Sequence, residues 1–363
     1  MDNYVISGVQ QIGIGVEDLK SSWKYYIDTF QMDVRILEDD TVAELMLPYT
    51  GGKPQKRHAA IVINMQGGGG FEIWQYSQRK PCKPSFEIQL GDIGIFAAKI
   101  KSRNVEQTFR EFSRNPAIKI VGKLTETIDN QLTFFVQDPY GNHFQVVYDN
   151  SLFVDEYRSS GGAAGAMIGV NDIDKALIVY SDILGHDKML ADRTGVFEDL
   201  QELPSGNRTF RRVLLTHSKE RKGKFSKLLG NTYIELIQAL DRQPNKVFEN
   251  RFWGDPGFIH LCFDVGNMEA LKKYCATKGF PFTVDSSVKH NSANSFDMGE
   301  AAGHFSYIED PDGNLIEFVE THKIPLIKKL GIHINLRKGD FEKPLPTWML
   351  KFLKLGRIKS SSL

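Results

Sequence analysis

The 363-residue sequence has few cysteines, no net charge and no long apolar run. Its three cysteines, Cys82, Cys262 and Cys275, are an odd number without CxxC spacing, which predicts reduced, mostly buried thiols of a cytoplasmic protein. Lys+Arg and Asp+Glu both number 45, so the whole chain has no pull towards nucleic acid or anionic lipid. No apolar run approaches the roughly 20 residues that span a bilayer, and the N-terminus lacks a signal-peptide pattern. These absences disfavour nucleic-acid and integral membrane functions and favour a small-molecule partner.

What the chain does contain is the composition of a globular protein. Hydrophobic residues make up 41% of the sequence and aromatic residues 11%, which is well outside the disordered range. The length suggests two or three domains.

An internal repeat organises the chain. Residues 9–19 form a strand pattern, and Trp23, Tyr26 and Phe30 then recur at the spacing of one buried helix face. Residues 161–185 repeat this arrangement without a gap. Two further copies begin at Asp92 and at His260, and each is followed by a helix pattern and a DPxGN turn, at residues 138–142 and 310–314.

Each copy has room for two more strands between its helix and its last strand. The sequence therefore predicts an α+β fold of four βαβββ units. Since one unit leaves a sheet face uncovered, we expect pairs of units to curl into partly open, U-shaped barrels with a shared cavity. We predict one barrel from residues 1–150, one from 151–322, and a basic extension at 323–363.

Three polar side chains interrupt apolar strand patterns in the second half of the chain. His260 begins FIHLCFDV, Glu317 follows the second DPxGN turn, and Glu235 lies in YIELI. Two carboxylates and one imidazole in a sheet concavity suit a divalent cation. Taken singly, each is more often a surface residue or a satisfied polar group of the core.

These residues together resemble the vicinal oxygen chelate superfamily, which includes glyoxalase I, extradiol dioxygenases and bleomycin-resistance proteins. The resemblance covers roughly residues 7–150 and 162–321. It rests on QQIGIGVEDLKSSWKYYIDTF, on the two DPxGN turns with their following strands, and on HLCFDV. It implies a metal held by one side chain from the first strand and one from the last strand of each paired unit.

Carried over to the C-terminal half, the four ligand positions of the family are Gly165, Glu235, His260 and Glu317. Because glycine offers no ligand, three remain, a set suited to Zn, Ni, Mn or Fe. In the N-terminal half the corresponding positions are Gln11, Glu72, Asp92 and Gln145. Gln11 matches a glutamine of some glyoxalase I enzymes, so this half is a possible second cavity.

The resemblance implies a metal-dependent lyase or isomerase in which Glu317 or Glu235 also moves a proton on the substrate. Arg211 or Arg212 could hold a substrate carboxylate. The alternative is a binding or resistance protein that uses the same cavity without chemistry, which the missing ligand at Gly165 favours. Ring-cleaving dioxygenase activity is disfavoured, because neither half has two histidines at the ligand positions.

The basic extension departs from the repeat. Trp348, Leu350, Phe352 and Leu355 give a short amphipathic helix pattern after Pro344 and Pro346. Packing against the body of the protein or across a homodimer interface is the favoured interpretation, and a membrane-surface helix is the alternative.

Overall fold

The computed structural model describes residues 3–287, 296–297, 302–327, 332–337 and 339–363. The first unit consists of β1 (Val5–Gly15), α1 (Leu19–Phe30), β2 (Val34–Ala43), β3 (Gln55–Asn64) and β4 (Gly68–Tyr76). The second consists of β5 (Gly94–Ser102), α2 (Val105–Ser113), β6 (Lys119–Glu126), β7 (Leu132–Gln137) and β8 (His143–Tyr148).

The other two units repeat this order with additions. The third consists of β9 (Ala163–Gly169), α3 (Ile173–Leu177, extended to Ile183 by a wider helical turn), β10 (Lys188–Gly195), β11 (Phe210–Thr216), the short α4 (Ser226–Leu229) and β12 (Tyr233–Ala239). The fourth consists of β13 (Gly257–Gly266), α5 (Met268–Thr277), β14 (Val284–Asp285), β15 (Phe296–Asp297), β16 (Ala302–Glu309) and β17 (Leu315–Ile327). The predicted α+β fold of four repeated units is confirmed.

The strands form two curled sheets that cross the boundary between the two halves. The first has the order β14-β16-β17-β13-β1-β4-β3-β2, with β15 beside β16 and β18 (Ile332–Asn335) beside β17. The second has the order β10-β11-β12-β9-β5-β8-β7-β6. The first unit is therefore joined to the fourth, and the second to the third.

This pairing corrects the prediction that residues 1–150 and 151–322 each build a barrel of their own. Each half instead contributes one unit to each sheet, through the antiparallel pairs β1 with β13 and β5 with β9. The first strands of all four units have similar apolar patterns, so the sequence does not specify which two of them pair.

Contacts between the two sheets come from the helices and from the DPxGN turns. Phe30 of α1 packs against Phe71 of its own unit and against Phe144 of the second unit, whose ring centroid is 4.8 Å away. Next to this aromatic group, the Tyr26 hydroxyl donates to the buried Asp138 carboxylate at 2.8 Å. Tyr180 and Asp310 repeat this bond at 2.9 Å between the third and fourth units. Each half is thus held together by a helix and a turn rather than by a shared sheet.

The C-terminal extension packs on the body of the protein. Its helix runs through α6 (Thr347–Lys351) and a tighter turn at Phe352–Gly356. Leu350 is fully buried in a cluster with Val34 and Leu229, and Arg357 bridges to the edge strand β2 at Val34. The predicted packing against the body is confirmed for this inner face of the helix.

The tyrosine-to-turn bond should contribute measurably to stability. We expect Tyr26→Phe to lower the free energy of unfolding by about 1–3 kcal/mol, because it removes a donor from a buried carboxylate. Urea denaturation measures the change. Tyr25→Phe, at the neighbouring half-buried tyrosine, is the matched control and should cost less. Equal losses in the two variants would contradict the assigned role of the bond.

Candidate metal centre

Four strands of the first sheet place candidate ligands around one glycine. In β1, Gly13 pairs with His260 of β13 on one side and with Glu72 of β4 on the other. Two residues away, Gln11 pairs with Cys262, which is itself opposite Glu317 of β17. The first and last strands of the first and fourth units therefore meet at one point.

Three side chains converge there closely enough to share an ion. The distance from His260 Nε2 to Glu317 Oε2 is 3.0 Å, and that to Glu72 Oε2 is 3.2 Å. All three candidate ligand atoms lie within 4.8 Å of one another. These separations are compatible with one divalent cation held by all three side chains.

Apart from these ion-pair contacts with one another, the cluster atoms lack partners in the described part of the chain. Gln11 Oε1, Glu72 Oε2, His260 Nε2 and Glu317 Oε2 are all buried without a partner of hydrogen-bond geometry among the described residues. Leaving a buried polar atom unpaired is costly, and native proteins seldom leave several together. The cluster therefore has the character of a ligand set, and its imidazole, two carboxylates and amide oxygen fit a first-row divalent cation.

The electrostatic environment of His260 favours a positive charge at this site. Burial disfavours the charged imidazole, but the Glu317 and Glu72 carboxylates outweigh it and raise the pKa of His260 to about 9. Two carboxylates in so small a buried space require a cation between them, and the imidazolium ring can supply it when no metal does.

Three neighbours fix the position of the His260 ring. Trp253 stacks on it with an interplanar angle of 3° and a centroid distance of 5.9 Å, and Tyr307 meets it edge-on at 5.5 Å. On its remaining side the ring covers Gly13, where a Cβ would lie 2.6 Å from Nδ1 and 2.9 Å from Nε2. Only glycine at position 13 leaves room for the ring.

A cavity of about 450 Å³ opens onto the cluster. Gln11, Glu72 and Glu317 line it together with a wall of apolar and aromatic side chains that includes Leu37, Met46, Trp74, Trp253, Phe305 and Tyr307. Arg57 also lies in the wall, where it pairs with Asp39 at 2.7 Å. The cavity can hold a small molecule with its polar end on the cluster.

The structure brings together only part of the predicted ligand set. His260 and Glu317 are neighbours as expected, but their companions are Glu72 and Gln11, which we assigned to a separate cavity. Glu235 lies in the second sheet, so the prediction that it shares a site with His260 and Glu317 is wrong. The error follows directly from the cross-pairing of the units.

Glu235 is instead part of a buried ion-pair network. Its carboxylate contacts Lys99 Nζ at 2.6 Å and Arg212 Nε at 2.8 Å, and Arg212 also binds Asp199. Burial would raise the pKa of Glu235, but Arg212 and Lys99 lower it to about 2. Glu235 is thus an ion-paired carboxylate of the core, and it does not line the cavity of the first sheet, which argues against its predicted catalytic role.

The other predicted positions belong to this second sheet or to its edge. Gln145 accepts a hydrogen bond from Lys99. Gly165 occupies the first-strand ligand position of β9, two residues before the Met167 that pairs with Glu235. Asp92 precedes β5, and its carboxylate accepts from Arg242 at 2.7 Å and from the amides of Gln89 and Asn245. These bonds stabilise the loop before β5, so the predicted place of Asp92 in a ligand set is wrong.

Neither arginine proposed for substrate binding reaches the cavity. Arg211 lies on the outer face of β11 and pairs with Asp192 and Asp174. Arg212 is fully buried and is occupied by Asp199 and Glu235. The prediction of a substrate carboxylate at these residues is wrong, because existing ion pairs already use both guanidinium groups.

Two residues beside the cluster were not identified from the sequence. Tyr307 pairs with Glu317 across β16 and β17, and the alternation of β16 before the DPDGN turn could have indicated it. Trp253 lies in the loop between β12 of the second sheet and β13 of the first, where the sequence has no helix or strand periodicity to mark it.

No helix in the described parts of the chain has the length and apolar character to cross a membrane. Among curated proteins, none matches this sequence significantly. Two models of the Glyoxalase/Bleomycin resistance protein/Dioxygenase superfamily do match it, one at residues 8–146 and one at residues 166–297.

Solved structures agree with these two matches. A single-residue variant of glyoxalase I from Zea mays is 16% identical, with a TM-score of 0.53, over 86% of this chain and 93% of that one. A candidate dioxygenase from Bacillus subtilis is 14% identical, with a TM-score of 0.51, over 87% of this chain and 86% of that one. At these identities the likeness shows the fold alone. With the four repeated units and the two model matches, it establishes that the chain belongs to the Glyoxalase/Bleomycin resistance protein/Dioxygenase superfamily, as a tandem two-domain member.

Proposed function

We propose that the protein is a metal-dependent enzyme of the glyoxalase, isomerase or lyase type, acting on a small substrate with adjacent oxygens. One observation carries the proposal: buried ligand atoms of Glu72, His260 and Glu317 lie within 4.8 Å of one another beside a cavity that Glu72, Glu317 and Gln11 line, and the Gln11 amide oxygen is buried without a hydrogen-bond partner among the described residues. These four residues would hold a divalent cation such as Zn, Ni, Mn or Fe. When bound, the ion would polarise the substrate oxygens and stabilise negative charge on them.

The proton transfer would fall to a carboxylate of the same cluster. Glu72 and Glu317 both line the cavity, and their side chains retain 14% and 9% of their exposure. Either one can accept a proton from the substrate carbon next to the polarised oxygen, if that carbon lies within hydrogen-bonding distance. Glu72 thus takes the place that Glu235 has in the sequence-based prediction.

Tyr307 supplies a neutral donor in the same cavity. Burial and the nearby Glu317 and Glu72 carboxylates raise the pKa of Tyr307 well above its usual value of 10. The phenol therefore stays protonated at neutral pH and can donate a hydrogen bond to a substrate oxygen as negative charge develops there.

The observation that favoured a binding protein does not apply to this cluster. The missing ligand at Gly165 lies in the second sheet, and Gln11 of β1 takes the corresponding position beside the cavity of the first sheet. A two-histidine dioxygenase site is not favoured either, because His260 is the histidine of the ligand group found among the described residues.

Metal content should depend on residues from both ends of the chain. We expect His260→Gln, Glu317→Gln and Glu72→Gln each to lower bound metal about tenfold or more, because each replaces an imidazole or carboxylate ligand with a neutral amide that binds more weakly. Elemental mass spectrometry of protein reconstituted with one metal at a time measures this. Glu320→Gln, on the same strand as Glu317, is the control and should keep wild-type metal. Retention of full metal by Glu72→Gln would exclude a site shared between the first and fourth units.

The glycine beneath the histidine ring gives an independent test. Gly13→Ala should weaken metal binding about tenfold or more, because the new methyl group displaces His260 without removing a ligand. Titration calorimetry measures the affinity. Ile12→Val, in the same strand but within the apolar core, should leave affinity within about twofold. Unchanged affinity in Gly13→Ala would show that the ring does not need its present position.

Proton transfer can be detected before the product is known. Metal-loaded protein should catalyse exchange of the carbon-bound proton of small α-hydroxycarbonyl compounds or hemithioacetals with D₂O, followed by NMR. Glu72→Gln or Glu317→Gln should slow this exchange about 10²-fold or more. Tight binding of such a compound to metal-loaded protein without any exchange would instead support a binding protein.

A further inference from the structure

The C-terminal extension concentrates the positive charge of a chain that is neutral overall. Residues 323–363 contain ten Lys or Arg residues and only two acidic ones, Asp340 and Glu342. Since the whole chain carries no net charge, the remainder must be equally acidic. Residues 343–363 contain five basic residues and no acid. The zero net charge of the whole chain is thus the sum of a strongly basic C-terminal segment and an acidic remainder.

The helix near the end of this segment is held against the body by polar and apolar contacts. Lys354 and Arg357 both bind Glu156 at 2.8 Å, and the Ile358 amide donates to Asp33 at 2.9 Å. Leu350, on the inner face of the helix, is fully buried. These contacts use one face of the helix and fix which face points outward.

The outward face is apolar as well. Trp348, Phe352 and Leu355 follow one another at intervals of four and three residues, which places them in one stripe. They are exposed by 60%, 41% and 68%, and the Trp348 and Phe352 rings touch with centroids 6.0 Å apart. A helix that is apolar on opposite faces is expected to be covered on both. Packing against the body therefore explains only half of this helix.

We propose that the stripe of Trp348, Phe352 and Leu355 docks on an anionic lipid surface. The exposed Lys351 lies beside the stripe, and the exposed Lys343 and Lys359 flank it. Lys343 pairs with Asp340 of the extension at 3.6 Å, whereas Lys351 and Lys359 form no ion pair with the described residues. Amphipathic interfacial helices combine such features: apolar and aromatic side chains that enter the headgroup region and lysines that bind lipid phosphates and carboxylates. The Trp348 indole has the amphipathic ring that favours this depth.

The charge of this face argues against a second copy of the chain as the occupant. A two-fold symmetric contact would place the same patch against itself. Lys351 and Lys359 of both copies would then meet around the apolar stripe, with no acidic residue in 343–363 to compensate. An anionic membrane removes this repulsion and adds an attraction.

Sedimentation with lipid vesicles tests the proposal on the full-length protein. We expect binding to phosphatidylcholine vesicles containing about 30% phosphatidylserine to be at least about tenfold stronger than to phosphatidylcholine alone, and to weaken with salt. Trp348→Ser with Phe352→Ser should reduce this binding about tenfold or more, and so should Lys351→Glu with Lys359→Glu.

Tyr157→Ser removes another aromatic ring, 87% exposed, and is the matched control that should stay within about twofold of wild type. Circular dichroism melting establishes that each variant is folded. Equal binding to neutral and anionic vesicles, or binding unaffected by both double variants, would overturn the proposal. So would concentration-dependent dimerisation in analytical ultracentrifugation that the Trp348 and Phe352 changes abolish without altering vesicle binding.

Discussion

The candidate site depends on the antiparallel pairing of β1 with β13. These strands are about 250 residues apart in sequence, yet their register places Gly13 against His260 and Gln11 against Cys262. The parallel neighbours on either side, β4 and β17, then bring Glu72 and Glu317 to the same point. A slip by one residue would send each of these side chains to the opposite face of its strand. The site therefore requires both ends of the chain to be folded together.

The second sheet shows what the same scaffold becomes with different residues at the equivalent positions. Its last strands offer Gln145 and Glu235. In its first strands, Gly165 lies two residues before the pairing partner of Glu235, and Ala97 lies two residues before the pairing partner of Gln145. The Lys99 ammonium lies between the amide and the carboxylate, and Arg212 completes the neutralisation. The Lys99 side chain thus places its own ammonium group at the position in the second sheet that corresponds to the ligand cluster of the first. The two sheets share a fold, and in our proposal the first takes its positive charge from a bound cation.

Much of the fold was readable from the sequence because it repeats. Four strand-helix patterns and two DPxGN turns fix the units, and the apolar strand patterns mark His260, Glu317 and Glu235 as polar intrusions. The assignment of partners failed because four similar first strands can pair in more than one way, and local patterns carry no information on the choice. Trp253 could not be assigned a role, because it lies in a loop without periodicity and its ring partners Trp74 and His260 come from distant strands.

The most direct test of the proposed metal centre is the position of the metal in a crystal. Anomalous diffraction from crystals grown with Zn or Mn, collected at the absorption edge of the metal, locates the ion without assumptions about ligands. We expect one peak per chain, about 2.0–2.3 Å from ligand atoms of Glu72, His260 and Glu317. A peak beside Glu235 and Gln145, or one that His260 contacts without Glu72, would contradict this expectation.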